Sequence, residues 1–137
     1  MMSNPNQKKV LLLFCGGTIV MEERADGSLN VPADRESAIE ILTSIEPKLS
    51  SIAPYDIEFI ANLDSTNLVP ADWDKLLAAI KKHYQHYAGF VITHGTDTMA
   101  YTAAALNLAL WGWGNRWFSP AVKSPAIKLK AMPAAIW

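Results

Sequence analysis

At 137 residues the chain has the size of one ordinary domain and is long enough to bury a real core. Half of it is hydrophobic and 18% is charged, a normal globular balance, and a net charge of -1 gives no electrostatic basis for binding nucleic acid or an anionic membrane. A single cysteine, Cys15, excludes an internal disulfide and suits a reducing compartment.

Lys8 and Lys9 precede the apolar run Val10 to Cys15. That run is too short for a signal core, and Gly16-Gly17-Thr18 stands where a cleavage site would be. Nothing approaches the roughly 20 apolar residues of a membrane span, so a cytoplasmic protein is expected. Val10 to Cys15 reads instead as a strand buried on both faces, as in parallel sheets. Glu22 to Pro32 is polar, contains Gly27, and reads as a loop. Asp34 is a candidate N-cap for a helix over Arg35 to Leu42.

Tyr55 to Leu63 alternates enough for a second strand, ended by Asp64-Ser65-Thr66-Asn67. Pro70-Ala71-Asp72-Trp73 opens a helix running to about Tyr87, with Trp73, Leu76, Leu77, Ile80 and Tyr84 recurring at helical spacing on its sheet-facing side. Gly89 stops it, Phe90 to Thr93 forms a third strand, His94 to Asp97 a turn, and Thr98 to Leu110 an Ala- and Leu-rich helix. The alternation of strand and helix implies a parallel α/β sheet.

Open parallel sheets bind ligands beyond the carboxyl ends of their strands. Three polar clusters fall at those ends: Gly16-Gly17-Thr18, Asp64-Ser65-Thr66 and His94-Gly95-Thr96-Asp97-Thr98. Gly-Gly-Thr suits either a tight turn with a capping threonine or a backbone that approaches a ligand, offers N–H groups to an oxyanion and presents a nucleophilic hydroxyl. Thr96 and Asp97 suit either a helix N-cap with an acidic first turn or a second hydroxyl and carboxylate for proton relay. Asp64-Ser65-Thr66 suits an Asx-type turn or an amino-acid clamp. His94 reads as structural before it reads as a base, and Cys15 as core. His83 and His86 have a spacing open to a metal but no third ligand, and read as exposed helix surface.

These residues resemble the asparaginase family, in its cytoplasmic type I branch. The first signature is Leu12-Leu13-Phe14-Cys15-Gly16-Gly17-Thr18-Ile19, and the second is Gly89-Phe90-Val91-Ile92-Thr93-His94-Gly95-Thr96-Asp97-Thr98-Met99-Ala100-Tyr101. Asp64-Ser65-Thr66-Asn67 is similar to the substrate-binding serine loop, and Pro70 to Trp73 and Lys82 to Tyr84 match the type I pattern in register. The resemblance covers about Lys9 to Leu110. It implies a three-layer parallel sheet of flavodoxin or Rossmann-like kind, and hydrolysis of asparagine to aspartate and ammonia without cofactor or metal. Thr18 would form the acyl-enzyme, with Thr96 and Asp97 as the second catalytic position. Asp64, Ser65 and Thr66, together with Thr96 and Asp97, would hold the substrate. Homodimers or homotetramers are implied, with no nucleic acid or membrane partner.

The pattern departs from the family in three places: Gly27 to Asn30 lacks the tyrosine many members carry in that loop, and the family's lysine and its smaller second domain would fall beyond residue 137. An inactive or very weak chain is therefore expected. The alternatives are a non-catalytic module binding asparagine or aspartate, and a glutaminase or amidotransferase-related amidohydrolase, the latter calling for a partner protein and further N-terminal sequence.

After Leu110 the family continues with a glycine turn and a strand close to Lys-Pro-Val-Val-Phe-Thr-Gly-Ser-Gln-Ile-Pro, whereas this chain reads Trp111-Gly112-Trp113-Gly114-Asn115-Arg116-Trp117-Phe118. Trp117 to Pro125 can be encoded TGG TTT TCA CCG GCA GTC AAA TCC CCG. Shifted by one base, with a G carried over from Arg116, this becomes Val-Val-Phe-Thr-Gly-Ser-Gln-Ile-Pro. The same shift turns Ala126 to Trp137 into Gly-Asn-Lys-Ile-Glu-Ser-Asp-Ala-Arg-Ser-Asn-Leu, again similar to the family. Residues 1–110 are thus expected to form an incomplete N-terminal asparaginase-type domain, and residues 111–137 an aberrant, frameshifted tail in which local and global preferences disagree. The alternative is a genuine, divergent C-terminus.

Overall fold

The computed structural model describes residues 8–17, 21–23, 25–45, 52–111, 117–121 and 126–130. In chain order the elements are β1 (Val10–Phe14), the short strands β2 (Glu22–Glu23) and β3 (Leu29–Asn30), α1 (Arg35–Ile45), β4 (Tyr55–Phe59), a 3-10 turn (Ser65–Asn67), α2 (Pro70–His83), β5 (Gly89–Thr93), α3 (Met99–Ala109), β6 (Trp117–Ala121) and β7 (Ala126–Lys130).

The sheet order is β4-β1-β5-β7-β6. β1 lies parallel to both β4 and β5, with Leu12 opposite Ile57 on one side and Val91 on the other. The apolar run of β1 is continuous because both faces are covered. Leu11, Leu13 and Cys15 join Leu76, Ile80, Phe90, Ile92 and Leu106 in one core, against α2 and α3. Leu12 and Phe14 turn the other way, onto Ala38 and Leu42 of α1, with Phe59 stacked on Phe14 at 5.2 Å. Each fully buried leucine or phenylalanine contributes roughly 1.5–3 kcal/mol of transfer free energy. Helices on both faces of the parallel strands make the three-layer α/β architecture.

The helix faces follow from the strand order. The chain steps from β1 outward to β4, then back past β1 to β5. Right-handed crossovers in opposite directions put their helices on opposite faces, as the two cores record. In such sheets ligands bind beyond the carboxyl ends of the strands, here on either side of β1.

Local signals set the element ends. Asp34 caps α1, its carboxylate accepting from the Ser37 N–H at 2.8 Å. At α2, Pro70 takes the first turn, and the Asp72 carboxylate accepts from the Val69 N–H at 3.1 Å. β4 stops at Phe59 rather than Leu63, because the N–H groups of Ile60 and Ala61 both converge on the Phe14 carbonyl, at 2.9 and 3.1 Å, and draw the chain off the ladder. α2 ends at His83, short of Tyr87, and the Ala88 N–H donates to the Lys9 carbonyl at 2.8 Å, which delivers Gly89 into register opposite Val10. Within the segment read as a loop, β2 and β3 pair as a minimal antiparallel ladder.

β7 pairs antiparallel with β5, and β6 antiparallel with β7, so the sheet is mixed beyond β5. Both strands fall in the stretch read as out of frame. Ladder bonds use backbone groups that almost every residue carries, so such pairing does not require a family sequence there. Pro120, which has no N–H to give, lies in β6 at the edge of the sheet.

Candidate active site

The turn after β1 is built from two glycines that nothing else can replace. Gly16 (φ +85°) and Gly17 (φ +114°) occupy the left-handed region. Space forbids a side chain as well: a Cβ on Gly16 would lie 2.5 Å from the Leu63 carbonyl oxygen, and one on Gly17 would lie 2.9 Å from the His94 carbonyl. This turn is thus wedged between the turns that follow β4 and β5. Thr18 itself lies outside the described residues; Gly17, to which it is bonded, abuts His94.

The turn after β4 is an Asx turn. One carboxylate oxygen of Asp64 accepts from the Thr66 N–H at 3.0 Å, and the Asn67 and Leu68 N–H groups close onto the carbonyls of Asp64 and Ser65. Ser65 is buried, Asp64 half-buried and Thr66 exposed. The Asx turn and the clamp are compatible readings, since the turn engages only one oxygen of Asp64.

The turn after β5 closes on the turn after β4. A Cβ on Gly95 would come within 2.5 Å of the Ser65 hydroxyl oxygen and 2.6 Å of its Cβ. Thr98, the N-cap residue of α3, makes no side-chain cap; its hydroxyl donates instead to the Ser65 carbonyl at 2.7 Å. Thr96 and Asp97 are exposed, immediately before α3, where the helix dipole favours a negative charge. Of the candidate residues, Ser65 is brought directly against the Gly95–Thr98 turn that carries Thr96 and Asp97.

His94 is no free base. It is fully buried, and burial lowers its pKa from the ordinary value. Its Nδ1 lies 2.6 Å from the Gly95 carbonyl oxygen and its Nε2 lies 2.8 Å from the Thr102 hydroxyl, which accepts from the Trp73 indole N–H at 2.9 Å. Sequence reasoning placed Trp73 on the sheet-facing side of its helix but missed this role, and it missed Thr102. A hydroxyl flanked by the apolar residues of α3 was the available signal for the latter.

Elsewhere, Cys15 is buried, its thiol pKa pushed up to about 12 by desolvation, which fits core packing. His83 is not free helix surface: its Nε2 lies 2.7 Å from Glu58 Oε2, close without being an aligned hydrogen bond, and its ring meets the Tyr87 edge. His86 is exposed. Among the described residues no group of three His, Cys, Asp or Glu side chains could hold a metal, and no helix is long and apolar enough to cross a membrane.

The family model described as "Asparaginase, N-terminal" matches residues 9–114. L-asparaginase 1 of Escherichia coli is 35% identical over 109 residues, covering 79% of this chain and 32% of that protein. One of the proteins that make up the glutamyl-tRNA(Gln) amidotransferase of Saccharolobus solfataricus is 36% identical over 109 residues, covering 78% and 24% respectively. The chain therefore spans about a quarter to a third of the length of these curated relatives. Among solved structures, L-asparaginase I of Vibrio cholerae superposes with a TM-score of 0.59 at 36% identity, covering 74% of this chain and 30% of that one. A probable cytoplasmic L-asparaginase of Campylobacter jejuni gives 0.63 at 34% identity, covering 74% and 31%. The interlocked glycine and serine turns lie within the stretch that the family model matches, residues 9–114: the chain belongs to the asparaginases, an amidohydrolase family, through their N-terminal domain.

Proposed function

We propose that this chain carries the asparagine-binding, nucleophile-bearing part of a cytoplasmic amidohydrolase that makes aspartate and ammonia. The observation that carries this reading is the interlock of three turns at the carboxyl edge of β4, β1 and β5, with Gly17 on His94 and Gly95 on Ser65. Thr18 attacks the side-chain amide carbon, ammonia leaves, and water releases aspartate from the acyl-enzyme. Thr96 and Asp97 serve the second catalytic position, Asp97 also taking the α-amino group. Asp64, Ser65 and Thr66 bind the α-carboxylate and amine. No cofactor takes part.

Titration of the purified 137-residue chain with aspartate and with asparagine tests this. The expected result is binding of both, lost in Asp97→Ala, with turnover of asparagine too weak to detect. Absence of binding by either amino acid overturns the binding role. Ammonia release that Thr18→Ala abolishes overturns the expected inactivity and supports the nucleophile.

The similarity to a component of an amidotransferase, 36% identical against 35% for the E. coli enzyme, favours a second reading: an amidase working within a complex that acts on tRNA. Under that reading glutamine competes with asparagine, and turnover depends on a partner protein. We further propose that residues 111–137 are translated out of frame. The support is the shifted codon reading of Trp117 to Trp137, together with a family match that ends at residue 114, four residues into this stretch.

A further inference from the structure

Four polar groups line up behind the turn that carries Thr96 and Asp97. The Trp73 indole can only donate, so the Thr102 oxygen must accept from it, at 2.9 Å. At the other end the Gly95 carbonyl can only accept, so Nδ1 of His94, 2.6 Å away, must carry a proton. Burial disfavours the charged ring; in the neutral ring Nε2 is bare, and the one hydroxyl proton of Thr102 points at it, across 2.8 Å. With a neutral ring, both ends are fixed by groups that cannot reverse, and each proton in the chain Trp73, Thr102, His94, Gly95 then has one place.

The chain ties α2, α3 and the end of β5 to one peptide, that between Gly95 and Thr96. The same Gly95 has no room on its other side, where a Cβ would overlap Ser65.

We infer that His94 is a positioning residue: held as its Nδ1–H tautomer by Thr102 and Trp73, it fixes the Gly95 carbonyl and so sets the orientation of the Thr96–Asp97 hydroxyl and carboxylate. Its position matters to the reaction through that peptide and not through proton transfer to substrate. The positioning half of this inference rests on the substrate-binding reading above; the tautomer half does not.

The experiment is nitrogen-15 NMR of the histidine rings in the 137-residue chain, joined to aspartate titrations of Thr102→Val and Thr102→Ser. The expected spectrum shows one buried histidine with Nδ1 protonated and Nε2 bare, the reverse of the tautomer free histidine prefers. A bare Nδ1, or a charged ring at neutral pH, overturns the inference. Thr102→Val is expected to leave Nδ1 protonated against the Gly95 carbonyl but to loosen the ring and weaken aspartate binding at least tenfold, whereas Thr102→Ser restores the affinity; unchanged aspartate affinity in a folded Thr102→Val overturns the positioning role. Should Thr102→Val not fold, Trp73→Phe, which removes only the indole anchor, replaces it with the same expectation and the same overturning result. If the parent chain binds no aspartate, the proposed function fails, and the positioning role with it; the ring spectrum still decides the tautomer by itself.

Discussion

Thr98 donates its hydroxyl to the carbonyl of Ser65 at 2.7 Å, tying the start of α3 to the serine turn after β4. The same carbonyl also accepts from the Leu68 N–H at 3.2 Å. Thr98→Val therefore removes one of two partners and leaves no orphaned acceptor, so the cost should sit near the ordinary net value of a hydrogen bond, about 1 kcal/mol, and not near the roughly 3 kcal/mol of a stranded group. Urea denaturation reads this directly. Thr98→Ser should lose less than half as much, and a loss well above that value in Thr98→Val would mean that the hydroxyl holds more than this one contact.

Gly95→Ala should destabilise by about 1–3 kcal/mol, through overlap and not through backbone torsion. The new methyl would stand 2.5 Å from the Ser65 oxygen and 2.6 Å from its Cβ. Two second-site changes separate the sources. Ser65→Ala keeps the Cβ and should rescue little; Ser65→Gly removes both atoms and should recover most of the loss, a coupling of at least about 1 kcal/mol in a double-mutant cycle. Full additivity of Gly95→Ala and Ser65→Gly would separate the two turns.

Much of this arrangement could be read from residue types. The apolar run of β1, too long in character for one buried face, announced a strand covered on both sides, and Leu11, Leu12, Leu13 and Phe14 do split between two cores. Asp34 and Asp64 did what short acidic side chains do beside free N–H groups. Other features were not legible because their causes are tertiary. Trp73 and Thr102 sit 29 residues apart on different helices, and no periodicity signals that an indole will meet a hydroxyl. The early ends of β4 and α2 are set by carbonyls of Phe14 and Lys9, on another strand or beside it. His83 looked like helix surface until β4 brought Glu58 beneath it.

Burial of His94 gives the protein an acid sensitivity with a definite sign. The folded-state pKa lies below the ordinary 6.5, so just under that pH the unfolded chain takes up a proton that the folded chain refuses. Stability is full above 6.5, falls as pH drops from there, and levels off below the lowered folded value. Asp72, held low by Lys75 and the Val69 N–H, and Asp56, held low by Lys9 and Tyr87, act in a separate window. Their stabilisation is present above 3.8 and fades as pH falls through their lowered values. Melting temperatures measured from about pH 8 to about pH 4 should show the first decline in the parent chain and a flatter upper window in His94→Asn. An equal decline in both would mean that His94 is not its source.

The tail offers a prediction at the level of the gene. Tryptophan and methionine have one codon each, so Trp111, Trp113, Trp117, Met132 and Trp137 fix their bases whatever the codon usage. Through three of those fixed points, Trp117, Met132 and Trp137, the shifted frame still yields Val-Val-Phe-Thr-Gly-Ser-Gln-Ile-Pro and the residues after it. A chain whose packing was selected keeps local preference and global fold in agreement. Up to Leu110 this one does so, with that leucine buried in the main core, whereas Trp111 is 79% exposed. Sequencing the gene from the Ala105 codon to well past that of Trp137 should show that changing one or two bases near Leu110 restores the family strand and an open frame reaching a lysine codon downstream. The repaired protein should then release ammonia from asparagine. If no such change opens the frame, the tail is genuine, and the binding module without turnover becomes the better account of the site.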